Sequence, residues 1–205
     1  MTDIPARRRA PGMSAEQRRA MIVAAALPLV AEHGAAVTTS RIARAAGIGE
    51  GTIFRVFADK DELLDACVAE AVNPDHVLRE LASIPLDEPL PARLTEAAEA
   101  LRAHLARMGA VVGTLHASGH RRDRAREEPA PGSREASVRA ITEAVTELIE
   151  PDRAALRLPP GKVAAVFLGM LFTQLRDEPA DADPTPAELV DVLLHGSYDE
   201  PRRAT

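Results

Sequence analysis

Apolar residues recur along most of the chain at three- and four-residue intervals, the period of helices with one face turned inward. The first such run opens at Ser14, where Gln17 completes a capping box. It carries Ile22, Ala26, Leu29 and Val30 on one face and stops at Gly34. Pro28 falls inside this run and should bend the helix or cost about 3 kcal/mol. A shorter run, capped by Thr38, buries Ile42, Ala43 and Ala46, and a third over about 50–57 turns Ile53 and Phe57 inward at i and i+4. The two meet at Gly47-Ile48-Gly49, where Gly47 supplies the backbone freedom of a tight turn and the small alanines let the helices cross closely. This is the grammar of a helix-turn-helix that reads DNA. Asp59, with Glu62 three residues on as a second capping box, opens a fourth run whose buried stripe is Leu63, Leu64, Cys67, Val68, Ala71 and Val72.

The remaining pattern is helical too. Asn73-Pro74 restarts the chain, Leu78, Leu81 and Ile84 mark one short helix, and the proline-containing stretch 85–91 breaks it. A long helix follows on Leu94, Ala98, Leu101, Leu105, Met108 and Val112. The charged, proline-containing segment 119–133 reads as a mobile loop. Val138, Ile141, Val145 and Leu148 mark the next helix. Residues 162–175 are apolar nearly all round (Val163, Val166, Phe167, Met170, Leu171, Phe172, Leu175), so every side of this helix needs a cover. Gly169 at its middle permits close approach of another backbone. Thr185-Pro186-Ala187-Glu188 opens the last helix with an N-cap, a first-turn proline and a capping-box glutamate, ahead of Leu189, Val190, Val192, Leu193 and Leu194. Neither internal repeats nor strand-like alternation is present, and the expected fold is all-α.

Composition sharpens this reading. Aromatic residues make up only 2% of the chain, and Ala and Leu carry the apolar content, which favours helices over sheets. The net charge of −6 argues against a nucleic-acid partner until its distribution is seen. Through residue 58, Arg7, Arg8, Arg9, Arg18, Arg19, Arg41, Arg44 and Arg55 face only Asp3, Glu16, Glu32 and Glu50, so the acidic excess belongs to the remainder. A basic head on an acidic body is the asymmetry of a DNA-binding unit. The expected organisation is therefore a disordered basic arm over 1–13, a helix-turn-helix domain over 14–70 and a helical body over 71–205. One cysteine, Cys67, excludes an internal disulfide and a multi-cysteine zinc site, and its place in an apolar stripe makes it a core residue. The polar, Arg-rich start has no following apolar run of a signal peptide, and no apolar stretch is expected to reach the roughly 18 residues of a membrane span. The expected location is cytoplasmic.

The segment from Ser14 to Leu64 resembles the DNA-binding domain of TetR-family transcriptional regulators. The resemblance rests on Ala25-Ala26, Glu32-His33-Gly34, Thr38-Thr39, Ile42-Ala43, Ala46-Gly47, Gly51-Thr52, Phe54 and Phe57, Lys60 and Leu63 at that family's spacing. By position it implies that Thr38 and Thr39 bind phosphate where helix N–H groups attract anions. Ser40, Arg41 and Arg44 then reach DNA from the second helix. Glu50, Gly51 and Arg55 fall at base-contact positions, and Arg55 suits a bidentate bond to guanine. Thr52 and Lys60 occupy phosphate-gripping positions, and Arg7 to Arg9 would enter a minor groove. Two departures stand out. Phe54 replaces the usual tyrosine and loses its hydroxyl, and Val56 replaces a frequent histidine.

The resemblance also implies a body that binds a small molecule and releases DNA, with Leu101, Leu105, Met108 and Phe167 as candidate pocket residues. The last two helices, through Val163, Phe167, Met170, Leu171, Leu189, Val192 and Leu193, should form an intermolecular four-helix bundle, because their apolar area exceeds what one subunit covers. A homodimer predicts a palindromic double-stranded operator. No cofactor is expected. His116 and His120 are spaced i, i+4, but no acidic residue stands at a ligand spacing from them, so no metal is expected. The alternatives are a DNA-binding regulator without a small-molecule ligand and, more remotely, an enzyme. Neither a nucleophile–base pair nor a Gly-rich phosphate loop is visible to support the latter.

Overall fold

The computed structural model describes residues 13–120, 133–173 and 183–197. The proposed basic arm, apart from Met13, and the greater part of the predicted loop over 119–133 lie outside the described residues. Among those residues there are helices and turns and no strand. The helices are α1 (Ala15–His33), α2 (Thr39–Ala45), α3 (Glu50–Ile53), α4 (Lys60–Val72), α5 (Asp75–Ser83), α6 (Leu90–Ala117), α7 (Ser133–Ile149), α8 (Pro160–Thr173) and α9 (Pro186–His195).

The chain divides into two units. The first holds α1 to α4 together with α6 from Met108 onward, and the second holds α5, α6 up to Arg107, and α7 to α9. In the first unit the capping box at Ser14 forms as read, with Gln17 N–H donating to Ser14 Oγ at 3.1 Å and Ser14 N–H to Gln17 Oε1 at 2.9 Å. α1 runs through Pro28 without a break. Pro28 and Ala24, whose carbonyl loses its helical partner to the proline, are both exposed, on the solvent side of the helix. Gly34 ends α1 at φ +55°, donating its N–H to Val30.

The core of this unit is built from Ile22, Ala26 and Val30 of α1, Ile42 of α2, Ile53 of α3, Phe57, and Leu63, Leu64 and Cys67 of α4, with Val111 and Leu115 of α6. Burial pushes the Cys67 thiol up to about 12, which makes it inert at neutral pH. By length and composition the segment Ala15–Ala36 is apolar enough to cross a membrane, where the sequence reading expected no such stretch. Its largest apolar side chains, including Ile22 and Val30, line the core, which accounts for that apolarity.

Four positions differ from the sequence pattern. α3 is a single turn from Glu50 to Ile53 rather than a helix to Phe57, and hydrogen bonds from the Val56 and Phe57 N–H groups to Ile53, both 2.9 Å, carry the chain round. The inward places of Ile53 and Phe57 hold even so. Val72, Val112 and Val138 are exposed, and on α6 it is Val111, one residue earlier than predicted, that turns inward. The helical repeat of 3.6 residues lets either neighbour close a long stripe, and packing selects one.

The core of the second unit gathers Val77 and Leu81 of α5, Leu94, Ala98 and Leu101 of α6, Ile141, Val145 and Leu148 of α7, Phe167 and Leu171 of α8, and Leu189 of α9. A buried arginine pins it. Arg93 of α6 is 1% exposed; its guanidinium pairs with Asp152, in the turn after α7, and donates to the Leu148 carbonyl. The apolar periodicity did not single out Arg93. His104 is also buried, and desolvation, with Arg107 and His76 nearby, holds its imidazole below the ordinary range. α9 opens with the predicted capping box, Thr185 with Glu188.

Candidate nucleic-acid interface

The turn that joins α2 to α3 depends on Gly47, whose φ of +67° is a left-handed value that side-chain-bearing residues rarely adopt. The Ile48 N–H donates to Ala43 at 3.0 Å and the Thr52 N–H to Gly49 at 2.8 Å, so both sides of the turn are hydrogen-bonded. Ile42, Ala43, Ile53 and Phe57 face the core. This leaves Glu50, Gly51, Phe54 and Arg55 on the outward side of α3 and its continuation, and Ser40, Arg41 and Arg44 outward on α2. Phe54 is 52% exposed, large for an aromatic ring with no polar tip. Val56 is half-buried and packs against the core as an aliphatic residue.

The predicted contact residues are not equally available. Thr38 caps α2, its hydroxyl oxygen accepting from the Arg41 N–H at 3.3 Å. The Thr39 hydroxyl donates to Glu50 Oε1 at 2.5 Å and so links the start of α2 to the start of α3. Thr52 is half-buried. Lys60, read from the sequence as a phosphate grip, donates its Nζ to the Ala35 carbonyl at 2.5 Å and ties α4 to the corner after α1.

Around this surface the first unit is braced by contacts that the sequence alone did not reveal. Arg19 pairs with Glu62 at 2.9 Å and lies 4.4 Å from the centre of the Phe57 ring. Thr114 of α6 donates to Ala31 at 3.0 Å, and Ser118 accepts from the Ala35 N–H at 2.8 Å. His120 lies between Asp61, at 3.7 Å, and Asp65, at 3.4 Å. The partners in these contacts are 38 to 83 residues apart, so no local pattern announces them.

The other predicted sites fall in the second unit, except Met108, which belongs to the first and is half-buried. Leu101, Leu105 and Phe167 are buried, as are Val163, Leu171 and Leu189. Met170 and Leu193 are half-buried and Val192 is exposed. Two grooves open among the described residues of this unit. One, of about 680 Å³, runs between α6 and α9 and is lined by Glu96, Glu99, Asp191, Ala92, Val190 and Leu194 among others. The other, of about 320 Å³, lies between α5 and α6 over Glu80, Ile84 and Ala100. Neither takes in Leu101, Leu105, Met108 or Phe167.

Comparison with known proteins agrees with this geometry. Residues 22–67 match the family model described as bacterial regulatory proteins, tetR family. Among solved structures, the chain is similar to a TetR/AcrR-family transcriptional regulator from Thermobifida fusca, at 22% identity and a TM-score of 0.60, covering 89% of this chain and 99% of that one. It is similar to a TetR transcriptional regulator from Streptomyces coelicolor at 25% identity and a TM-score of 0.53, over 87% and 97% of the two chains. The TetR-like regulator LfrR from Mycobacterium smegmatis, solved in complex with proflavine, matches at 20% identity and a TM-score of 0.54, over 90% and 99%. At these identities the structures speak for the shared all-helical fold, while the family match runs from Ile22 within α1 to Cys67 within α4 and takes in the helix-turn-helix. With the outward arginines of that motif in place, residues 22–67 carry the helix-turn-helix of the tetR family of bacterial regulatory proteins, and the chain is similar in fold to TetR-family transcriptional regulators.

Proposed function

We propose that the chain is a homodimeric repressor that holds a palindromic operator and is released from it by a small, largely apolar molecule. The observation that carries the DNA-reading part is the outward set Arg41, Arg44, Glu50, Gly51, Phe54 and Arg55, all exposed on α2 and on α3 and its continuation, over a packed apolar core. Arg55 supplies the forked donor that matches guanine O6 and N7. Arg41 and Arg44 supply phosphate charge neutralisation. Thr38 keeps a hydroxyl proton for a phosphate, and Lys60 keeps two of its three ammonium donors, whereas the Thr39 hydroxyl can donate to DNA only by exchanging its bond to Glu50.

For the dimer, the support is apolar surface on the last two helices. Val166 of α8 and Val192 of α9 are 49% and 40% exposed, and Gly169 of α8 has open space where a side chain would stand. Two copies of such a face form the twofold bundle, and its symmetry requires a palindromic site with half-sites about one DNA turn (~34 Å) apart or more.

For the effector, Leu101, Leu105 and Phe167 are already packed, so a ligand among them must displace core contacts. The open groove between α6 and α9 is the seat that needs no such displacement, and its carboxylates favour a ligand that adds a positive group to an apolar body. The solved complex of LfrR with proflavine supports a small-molecule effector by likeness. The same packed core also favours a second reading, a regulator that takes no small molecule.

Footprinting of the DNA flanking the protein's own gene, repeated with candidate effectors, tests the whole proposal. Protection of a palindrome that an effector abolishes supports it, and protection that no effector alters favours the second reading. Arg55→Ala is expected to weaken specific binding by roughly 5- to 150-fold with the dimer intact. Unchanged operator affinity and sequence preference would remove Arg55 from the reading surface.

A further inference from the structure

The bond between Thr39 and Glu50 joins the starts of α2 and α3 across the turn at Gly47. An exposed glutamate ordinarily keeps its rotamer freedom, and holding it needs a compensating interaction. Here a hydroxyl donates to a carboxylate at 2.5 Å, a charge-assisted bond strong enough to set the side chain's direction. The carboxylate remains exposed, and with about four lone-pair sites it retains acceptor capacity beyond this one bond. Its immediate neighbour, Gly51, has nothing within 4 Å of where a side chain would begin, so no group screens that flank. One turn on, Phe54 presents a ring without a donor or an acceptor. The outward face of α3 and its continuation therefore offers one oriented acceptor, Glu50, and one forked donor, Arg55.

A carboxylate facing a polyanion is repelled unless a base-edge donor meets it. In the major groove only the amino groups of cytosine and adenine donate. Adenine places its N7 acceptor beside that amino group, and guanine and thymine present acceptors without an amino donor. We infer that Glu50, oriented by Thr39, selects a cytosine at one fixed position of the sequence that each subunit reads, accepting a hydrogen bond from its N4 amino group. This rests on the DNA-reading function proposed above and adds the base that the second reading residue requires.

The test is selection of binding sequences from randomised duplexes by the full-length protein, with Glu50→Ala, Glu50→Gln and Thr39→Val in parallel and circular dichroism to establish that each variant is folded. The wild type is expected to enrich one position in cytosine, and replacing it by guanine should weaken binding roughly 5- to 150-fold. Glu50→Ala should become indifferent at that position alone. Glu50→Gln should turn it to adenine, because the amide pairs with N6 and N7 together. Thr39→Val should blunt the preference while the other positions stand. If both Glu50 variants enrich the same sequences as the wild type, the inference falls and DNA reading stands. If the wild type enriches no sequence at all, both fall.

Discussion

Glu62 joins three parts of the first unit through one carboxylate. Its Oε2 accepts from the Ala58 N–H at 2.7 Å and its Oε1 from Arg19 at 2.9 Å, while its own N–H donates to Asp59 at 2.8 Å. The Ala58 bond foremost, then Arg19, holds the Glu62 carboxyl below its ordinary value of 4.5. A depressed carboxylate stabilises the fold above its unfolded value, and that contribution is lost as pH falls through the lower folded value. Glu62→Gln should therefore lower stability at pH 7 by about 0.5–1 kcal/mol, modest because the side chain is 37% exposed. The gap from wild type in thermal unfolding should close as pH drops below the carboxylate range, and a gap independent of pH would contradict this account. The sequence showed half of this residue's role. The Asp59–Glu62 spacing announced the cap on α4, but the carboxylate's turn toward Ala58 and Arg19 depends on α1 lying alongside α4.

Among the elements, the corner after α1 is the most constrained. Gly34 takes a positive φ, and a side chain there would begin 2.5 Å from Ser118 Oγ and 2.7 Å from the Thr114 carbonyl oxygen of α6. The hydroxyl can rotate away, but the helix backbone cannot. Lys60 and Ser118 also bond the backbone of Ala35 at this corner. Gly34→Ala should then cost more than the about 1 kcal/mol typical of an unfavourable backbone angle alone, through strain plus separation of α1 from α6. Chemical denaturation measures the difference. A loss no greater than that of Gly47→Ala, which has a positive φ but open space around it, would mean that the α6 contact carries no energy. The helix stop at Gly34 was legible in the sequence. The reason that only glycine fits was not, because Thr114 and Ser118 stand 80 or more residues away and α1 alone has no use for them.

On the scale of the whole molecule, the proposed dimer divides the apolar residues of α8 and α9 into two classes. Val163, Phe167, Leu171 and Leu189 are core residues, so truncating Phe167 to alanine should unfold or loosen the second unit at a cost of about 3–5 kcal/mol. Val166 and Val192 are exposed and should matter only to association. Val166→Glu combined with Val192→Glu is expected to leave helicity unchanged and to yield monomers at concentrations where the wild type is dimeric, as light scattering would show. A double variant that remains dimeric would move the interface off these helices. Apolarity all round α8 requires a cover on every side, but it does not specify which side the subunit itself covers.

What the sequence by itself determined about this protein is local. Helical period, caps at Ser14, Thr38 and Thr185, the stop at Gly34 and the turn at Gly47 are each dictated within a few residues, and together they specify an all-α chain with a helix-turn-helix near its start. Tertiary structure decided which partners the predicted contact groups meet inside the fold. Lys60 is engaged by Ala35 and Thr39 by Glu50, and the candidate pocket residues Leu101 and Phe167 are packed against their neighbours. The physical reason is that a side chain's periodicity records which way it points, whereas its chemistry depends on what the rest of the chain places within hydrogen-bond reach.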